Sequence, residues 1–238
     1  MDADRKLCTF KEWYQPMYSQ KSCLITCLFD FTNPKKFSDG YKLYLYDKEK
    51  IIPNIKKCVV LQEKQKLVEN FIEKNELLLN NKFYPFRLSG DADYELLDEN
   101  GNKNPQMHMF PNFSLMPVTG NMQIIKRNRE LKSFIKNELG NYYESKDIEL
   151  VPYLRWGKQY KDEKKNEFKQ KCEKEALKAF LDLFDNLDEY CENLYFLSSK
   201  DIIDKSISDY WKYRKAIAKE CGVCSEILGK DISSDIYN

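Results

Sequence analysis

The stretch LQEKQKLVENFIEKNELLL, residues 61–79, carries the clearest fold signal of the chain. Its apolar side chains recur close to every 3.6 residues with charged residues between them, which is the pattern of an amphipathic helix. The apolar positions are Leu61, Leu67, Val68, Phe71, Ile72, Leu78 and Leu79. The segment therefore predicts a helix that packs one face inward.

Several later segments carry the same signal. Residues 129–142 place Leu131, Phe134, Ile135, Leu139 and Tyr142 on one face, and residues 161–185 do so less regularly. The stretch LDEYCENLYFL, residues 187–197, predicts a further helix. Ser198-Ser199-Lys200-Asp201 then resembles a capping box, which predicts the start of a last long helix.

The first half of the chain is more mixed. YKLYLY, residues 41–46, alternates as a half-buried strand does, and short apolar runs mark the other strand candidates. These candidates are residues 22–31, 42–46, 57–60, 113–116 and 122–125. We therefore predict a mainly α (α+β) fold, a helical domain with a small antiparallel sheet or hairpins contributed by the first half. It forms a single globular domain over residues 1–238, mixed α/β over 1–60 and mostly helical over 61–238.

Composition limits the classes of protein. Apolar residues make up 42% of the 238 residues and aromatic residues 14%, which excludes a disordered chain. Lys and Arg (39) almost balance Asp and Glu (38), so no global field attracts nucleic acid or an anionic membrane. The charged amino terminus lacks the apolar core of a secretory peptide, and no apolar run approaches a bilayer span. We expect a soluble, cytoplasmic protein with no membrane partner and no cofactor.

The eight cysteines are expected to be reduced, because the chain is long and carries no export signal. Most of them lie in apolar surroundings and are interpreted as small core hydrophobes: Cys23, Cys27, Cys58, Cys172 and Cys191. Cys221-Gly-Val-Cys224 has redox or zinc spacing, but no second ligand pair is visible. Chance spacing is the preferred interpretation, and a metal site completed by Cys8 or His108 is the alternative.

The main candidate site lies in MFPNFSLMPVTGNMQIIK, residues 109–126, together with the arginines that follow it. Arginine side chains match oxyanions as planar forks, and side-chain amides complete the hydrogen bonds, so the segment predicts a phosphate or carboxylate site. An ordinary helix start with solvated charges is the alternative. The candidate ligand-binding residues are Thr119, Gly120, Asn121, Gln123, Lys126, Arg127 and Arg129.

Catalytic candidates are sparse. His108 is the only histidine, and no glycine-rich phosphate loop occurs. Asp91 and Asp93 have the spacing of oxygen ligands, although the segment does not continue as a calcium loop and a solvated acidic turn is preferred. The favoured function is therefore a binding or interaction module for an anionic ligand, nucleic acid or a protein partner. The alternative is a metal-assisted or acid–base enzyme that acts on a phosphate-bearing or nucleic-acid substrate through Asp91, Asp93 or His108.

Two segments carry a family resemblance. The chain resembles a family of uncharacterised bacterial proteins, a domain of unknown function, over about half of its length. The resemblance lies in LMPVTGNMQIIK (residues 115–126) and in FLDLFDNLDEY (residues 180–190) with Tyr195-Phe196-Leu197. The resemblance implies a bacterial, cytoplasmic, α-rich protein with no assigned activity. Gly120, Asn121 and Lys126 are the positions that would carry it.

Overall fold

The structure is a computed structural model, and it describes seven ranges of the chain. Two of these ranges hold an amino-terminal helical segment and the first hairpin, two hold single strands, and the rest are helical. The described ranges are 15–37, 40–46, 48–80, 86–90, 113–117, 131–151 and 161–223.

Helices dominate the described ranges. Residues 15–21 are helical, and α1 follows at Cys23–Leu28. The later helices are α2 (Lys48–Lys57), α3 (Val59–Glu63), α4 (Gln65–Asn80), α5 (131–145), α6 (Glu163–Leu181), α7 (Leu187–Tyr195), α8 (Ser199–Asp204) and α9 (Ile207–Glu220). Helix α5 is continuous through Leu131–Ser133, a π-helical turn at Phe134–Leu139 and Gly140–Ser145, and a 3₁₀ turn at Ile148–Leu150 follows it.

In the part of the chain that the structure describes, four strands form one antiparallel sheet in sequential order. They are β1 (Phe29–Phe37), β2 (Gly40–Leu45), β3 (Phe86–Gly90) and β4 (Phe113–Pro117). Phe29 pairs with Leu45, Tyr41 with Leu88, and Leu88 with Leu115. The β1–β2 register shifts between Asp30 and Lys35. The predicted mainly α fold with a small antiparallel sheet from the first half is therefore confirmed.

The individual strand predictions fared unevenly. Those at 42–46 and 113–116 are confirmed by β2 and β4, whereas the candidate at 122–125 lies outside the described residues. The prediction at 22–31 is wrong over most of its length, because Ser22 Oγ accepts the Ile25 N–H and starts helix α1. The prediction at 57–60 is also wrong, since this stretch ends α2 and starts α3.

Two predicted helices are interrupted. The helix at 61–79 breaks at Lys64, between α3 and α4, where the buried Lys64 ammonium bonds to the Leu183 carbonyl oxygen at 2.9 Å. The last helix breaks at Lys205, because Ser206 caps a new helix by accepting the Asp209 N–H. The helices predicted at 129–142, 161–185 and 187–197 are confirmed as α5, α6 and α7, with ends shifted by a few residues.

An aromatic cluster forms the centre of the core. Phe71 of α4 lies 5.9 Å, ring centroid to centroid, from Phe180 of α6, which lies 5.5 Å from Phe184. Phe184 in turn lies 5.3 Å from Tyr190 of α7, and all four side chains are fully buried. Of the apolar positions predicted in residues 61–79, Leu61, Val68, Phe71 and Ile72 are buried and Leu67 is partly buried.

The amino-terminal segment is held by parts of the chain that are distant in sequence. Gln20 Nε2 donates to the Cys221 carbonyl oxygen at 3.0 Å, and Ser22 Oγ donates to Asn193 Oδ1 at 2.6 Å. The hydroxyl of the buried Tyr18 accepts the Leu115 N–H of β4 at 3.1 Å. Residues 15–22 therefore join the sheet to the carboxyl-terminal helices.

The described helices include none with both the length and the apolar character needed to cross a bilayer.

Candidate functional site

The predicted anion-binding residues lie between β4 and α5, outside the described residues. These are Thr119, Gly120, Asn121, Gln123, Lys126, Arg127 and Arg129. Asp91, Asp93, His108, Cys8 and Cys224 also lie outside the described ranges, whereas Cys221 is buried at the end of α9. The anion site, the catalytic alternative and the Cys221–Cys224 metal alternative therefore stay predictions.

A groove runs between α2 and α4, with a volume of about 500 Å³. Its apolar part is formed by three isoleucines, of which Ile55 and Ile72 are anchored in the core and Ile52 is 41% exposed. We call it the α2–α4 groove. Its described lining is Ile52, Ile55, Lys56, Gln65, Glu69, Ile72, Glu73 and Glu76.

Acidic side chains form one rim of the α2–α4 groove. Glu69, Glu73 and Glu76 follow one another on α4 at spacings of four and three residues, which places them on one helix face. All three are exposed, and Lys56 is the only cation among the described lining residues. Glu73 meets Lys74 at 3.9 Å, but an exposed pair of this kind neutralises little of the field. The groove thus combines an apolar floor with a negative rim.

A second groove, of about 380 Å³, lies beside α6 and the 3₁₀ turn. Its charges compensate one another: Lys174 Nζ lies 2.5 Å from Glu149 Oε2, and Lys171 Nζ lies 3.9 Å from Glu175 Oε1. Because its described lining holds three glutamates and three lysines, this groove carries no net charge to attract a ligand of one sign. It is the weaker binding candidate of the two.

A polar cluster holds the turn between α6 and α7. The Tyr142 hydroxyl donates to Asp182 Oδ1 at 2.6 Å, and Lys178 Nζ donates to Asp182 Oδ2 at 2.6 Å. Burial, and the bond to Asp182, raise the pKa of Tyr142 above that of an ordinary tyrosine. Lys146 lies over the Tyr143 ring at 4.4 Å, and burial lowers the pKa of its ammonium group. These groups satisfy one another, so the cluster is assigned a stabilising role.

Three thiols meet where α1 faces the start of α3. Cys23 Sγ donates to Cys58 Sγ at 2.7 Å and lies 3.9 Å from Cys27 Sγ. All three cysteines are free thiols. Within the described ranges, however, no group of three or more His, Cys, Asp or Glu side chains is arranged to hold a metal ion.

Comparisons with known proteins gave no relative: no protein-family model matches the chain, and neither the curated proteins nor the solved structures contain a match. The resemblance to a family of uncharacterised bacterial proteins therefore stays a prediction.

The α2–α4 groove was not predicted from the sequence, although the helical spacing of its isoleucines is present there. The stretch KEKIIPNIKK, residues 48–57, carries Ile51, Ile52 and Ile55 at helical spacing. Pro53 within this stretch argues against a helix interior, and yet helix α2 contains it. In the sequence the glutamates of α4 are only charged residues between the apolar positions of 61–79, and the position of α2 beside them makes them the rim of a groove.

Proposed function

We propose that the protein is an interaction module that binds a basic amphipathic helix of a protein partner in the α2–α4 groove. Helices bind to grooves by laying an apolar face on the floor while the flanking charges pair with the rim. A helix with apolar residues on one face and Lys or Arg beside them would match both parts of this groove. A protein partner is one of the three kinds of ligand that the sequence left open.

A single observation carries the proposal, namely the position of Ile52 beside the α4 glutamates. Ile52 keeps 41% of its surface exposed at the apolar floor, so a partner that covers it would remove apolar surface from water. Glu69, Glu73 and Glu76 line the same groove and give a charge preference that an apolar patch alone lacks. Together they favour a partner that is both apolar and positively charged.

The size of the groove fits this kind of occupant. A volume of about 500 Å³ lies within the ~300–1,000 Å³ of ordinary ligand pockets, which is room for a few large side chains rather than a whole domain. The glutamates extend along α4 from residue 69 to residue 76, which corresponds to about two helical turns. We therefore infer that two to three turns of the partner helix make the contact.

The other candidate functions depend on residues outside the described ranges. An anionic ligand or nucleic acid would be held by Lys126, Arg127 and Arg129. The enzymatic alternative needs Asp91, Asp93 or His108 to converge in one cleft. Both alternatives are defined by residues other than the described lining of the α2–α4 groove, so variants of that lining test helix binding separately.

The test uses a fluorescently labelled synthetic helix of Leu and Lys in an amphipathic pattern, titrated with the full chain and followed by fluorescence anisotropy. Replacing all three rim carboxylates (Glu69→Gln, Glu73→Gln and Glu76→Gln) should weaken binding about tenfold, or about 1.4 kcal/mol, because rim charge pairs contribute modestly. The matched control replaces three exposed glutamates that line neither groove, Glu144→Gln, Glu163→Gln and Glu192→Gln, and should leave the affinity unchanged.

A second peptide checks the sign of the charge preference. The same helix with Glu in place of each Lys should bind far more weakly, and the affinity of the Lys peptide should fall as salt is added. Equal affinity for the two peptides, or an equal loss in the control variant outside both grooves, would overturn the proposal.

A further inference from the structure

The thiols of Cys23 and Cys58 are in contact, although the two cysteines are 35 residues apart in sequence. Cys23 is the first residue of α1, and Cys58 occupies the cap position before α3. Their sulfur atoms lie 2.7 Å apart, against about 2.05 Å in a disulfide, so covalent bonding needs a closer approach of well under 1 Å.

Access distinguishes this pair from the other described cysteines. Cys23 is exposed, so a reagent in solution reaches its sulfur directly, whereas Cys58 is buried behind it. Cys172, Cys191 and Cys221 are buried, at 3% exposure or less. Among the described cysteines, a small oxidant therefore meets Cys23 first.

We propose that Cys23 and Cys58 form a reversible disulfide by exchange with a low-molecular-weight disulfide such as oxidised glutathione. The Cys23 thiolate attacks one sulfur of glutathione disulfide, which forms a mixed disulfide and releases one glutathione thiolate. Cys58 then attacks Cys23 Sγ, which forms the internal bond and releases the second glutathione. The two cysteines lose two electrons and two protons, and glutathione disulfide gains them as two thiols. Reduced glutathione in excess reverses both steps.

The surroundings of Cys23 set the rate of the first step. Partial burial of the Cys23 side chain, together with the neighbouring thiols of Cys58 and Cys27, raises the pKa of Cys23 to about 12. Because the thiolate is the reactive form, little of it is present at neutral pH, and exchange should accelerate about tenfold per pH unit below that value. Exchange is therefore slow at neutral pH, and an alkaline buffer shortens the time that the reaction needs.

The third thiol supplies a matched control. Cys27 lies one helical turn after Cys23, and its Sγ is 3.9 Å from that of Cys23, so it shares the surroundings without being the nearer partner. Cys27→Ser should keep the Cys23–Cys58 bond. Cys58→Ser should stop the reaction at the mixed disulfide on Cys23.

The experiment treats the full chain with oxidised glutathione, blocks the remaining thiols with an alkylating reagent, and maps the linked peptides by mass spectrometry without reduction. The expected product is a peptide pair joined through Cys23 and Cys58 in the natural chain and in Cys27→Ser, with glutathione retained on Cys23 in Cys58→Ser. The natural chain alone tests the proposal if a variant fails to fold. Recovery of Cys58 as an alkylated thiol, or a link from Cys23 to any other cysteine, would overturn it.

Discussion

Lys64 Nζ lies 2.7 Å from Glu189 Oε1, although 125 residues separate the two in sequence. The same ammonium group donates to the Leu183 carbonyl oxygen at 2.9 Å, and its side chain is only 10% exposed. Lys64 therefore connects the residue between α3 and α4 to the turn before α7 and to the first turn of α7.

Replacement of Lys64 by methionine should destabilise the protein by about 2–4 kcal/mol. Removing one member of a largely buried ion pair leaves the other charge poorly compensated, although Glu189 keeps partial contact with water, which lowers the cost. Urea denaturation followed by circular dichroism measures the change. Lys66→Met, at an exposed position in the first turn of α4, is the control and should lie within about 0.5 kcal/mol of the natural protein. Equal stability of the two variants would show that the Lys64 contacts are energetically neutral.

Stability should fall as the pH rises above about 9. Burial, with nearby ionisable groups, raises the pKa of Tyr143 and of Cys191 well above ordinary values. Above pH 9–10 the unfolded chain releases these protons while the folded chain retains them, so the free energy of unfolding decreases with pH. Thermal melts between about pH 8 and 11 measure the slope.

Tyr143→Phe should flatten that alkaline slope, whatever its effect on stability at neutral pH. The variant loses the hydrogen bond from the Tyr143 hydroxyl to the Leu181 carbonyl oxygen, 3.0 Å long, but it also loses the proton that the unfolded state releases. Tyr213→Phe, at an exposed position, is the control and should keep the natural slope. A Tyr143→Phe slope as steep as that of the control contradicts the assignment.

The amino-terminal cap of α9 should be worth about 1 kcal/mol. Ser206 Oγ accepts the Asp209 N–H at 3.1 Å, which satisfies one of the free donors at the start of the helix. Ser206→Ala should lower the melting temperature by about 2–4 °C for a chain of this size. Ser206→Thr keeps the acceptor and should remain within about 1 °C of the natural protein. Calorimetry separates the two, and an equal loss in both variants would rule out the hydroxyl as the cause.

Ile52 should matter for binding and little for stability. Because the side chain is 41% exposed, Ile52→Ser should change the free energy of unfolding by less than about 1 kcal/mol. It should nevertheless weaken the Leu–Lys helix several-fold, since it removes part of the apolar floor. Val59→Ser is the control, because Val59 is 71% exposed and lies outside the groove. Parallel anisotropy titrations decide, and an equal effect of both variants would point to non-specific adhesion.

The predicted anion site at residues 119–129 is tested by isothermal titration calorimetry of the full chain with inorganic pyrophosphate. Lys126→Ala together with Arg127→Ala should weaken binding by about 1.5–3 kcal/mol per charged hydrogen bond lost. Lys164→Ala, at an exposed position of α6, should have no effect. Unchanged affinity in the double variant would remove residues 119–129 as an anion site.

Periodicity predicted helix α5 and the side chains that it buries. Phe134, Ile135, Leu139 and Tyr142 are all buried as the pattern of 129–142 required. It failed at residues 22–28, because a short apolar run buries its side chains equally well as a strand or as a helix. The hydroxyl of Ser22 decided for the helix, and that interaction was not visible in the apolar pattern.

Helix breaks were predictable only where the signal was local. Ser206 and Asp209 repeat the spacing of Ser198 and Asp201, so the start of α9 could have been found from the capping pattern. The break at Lys64 could not, because it depends on Leu183 and Glu189. The α2–α4 groove and the Cys23–Cys58 pair likewise arise from packing of segments that the sequence does not place side by side.

The contact between Gln20 and Cys221 has a consequence for synthesis on the ribosome. The two residues are 201 positions apart, and at about 5–20 residues per second the ribosome needs about 10–40 s to travel between them. During that interval the Tyr18 ring lacks Phe196, whose ring centroid lies 4.9 Å away in the folded chain. The nascent chain thus presents this amino-terminal aromatic side chain to solvent well before the chain can bury it.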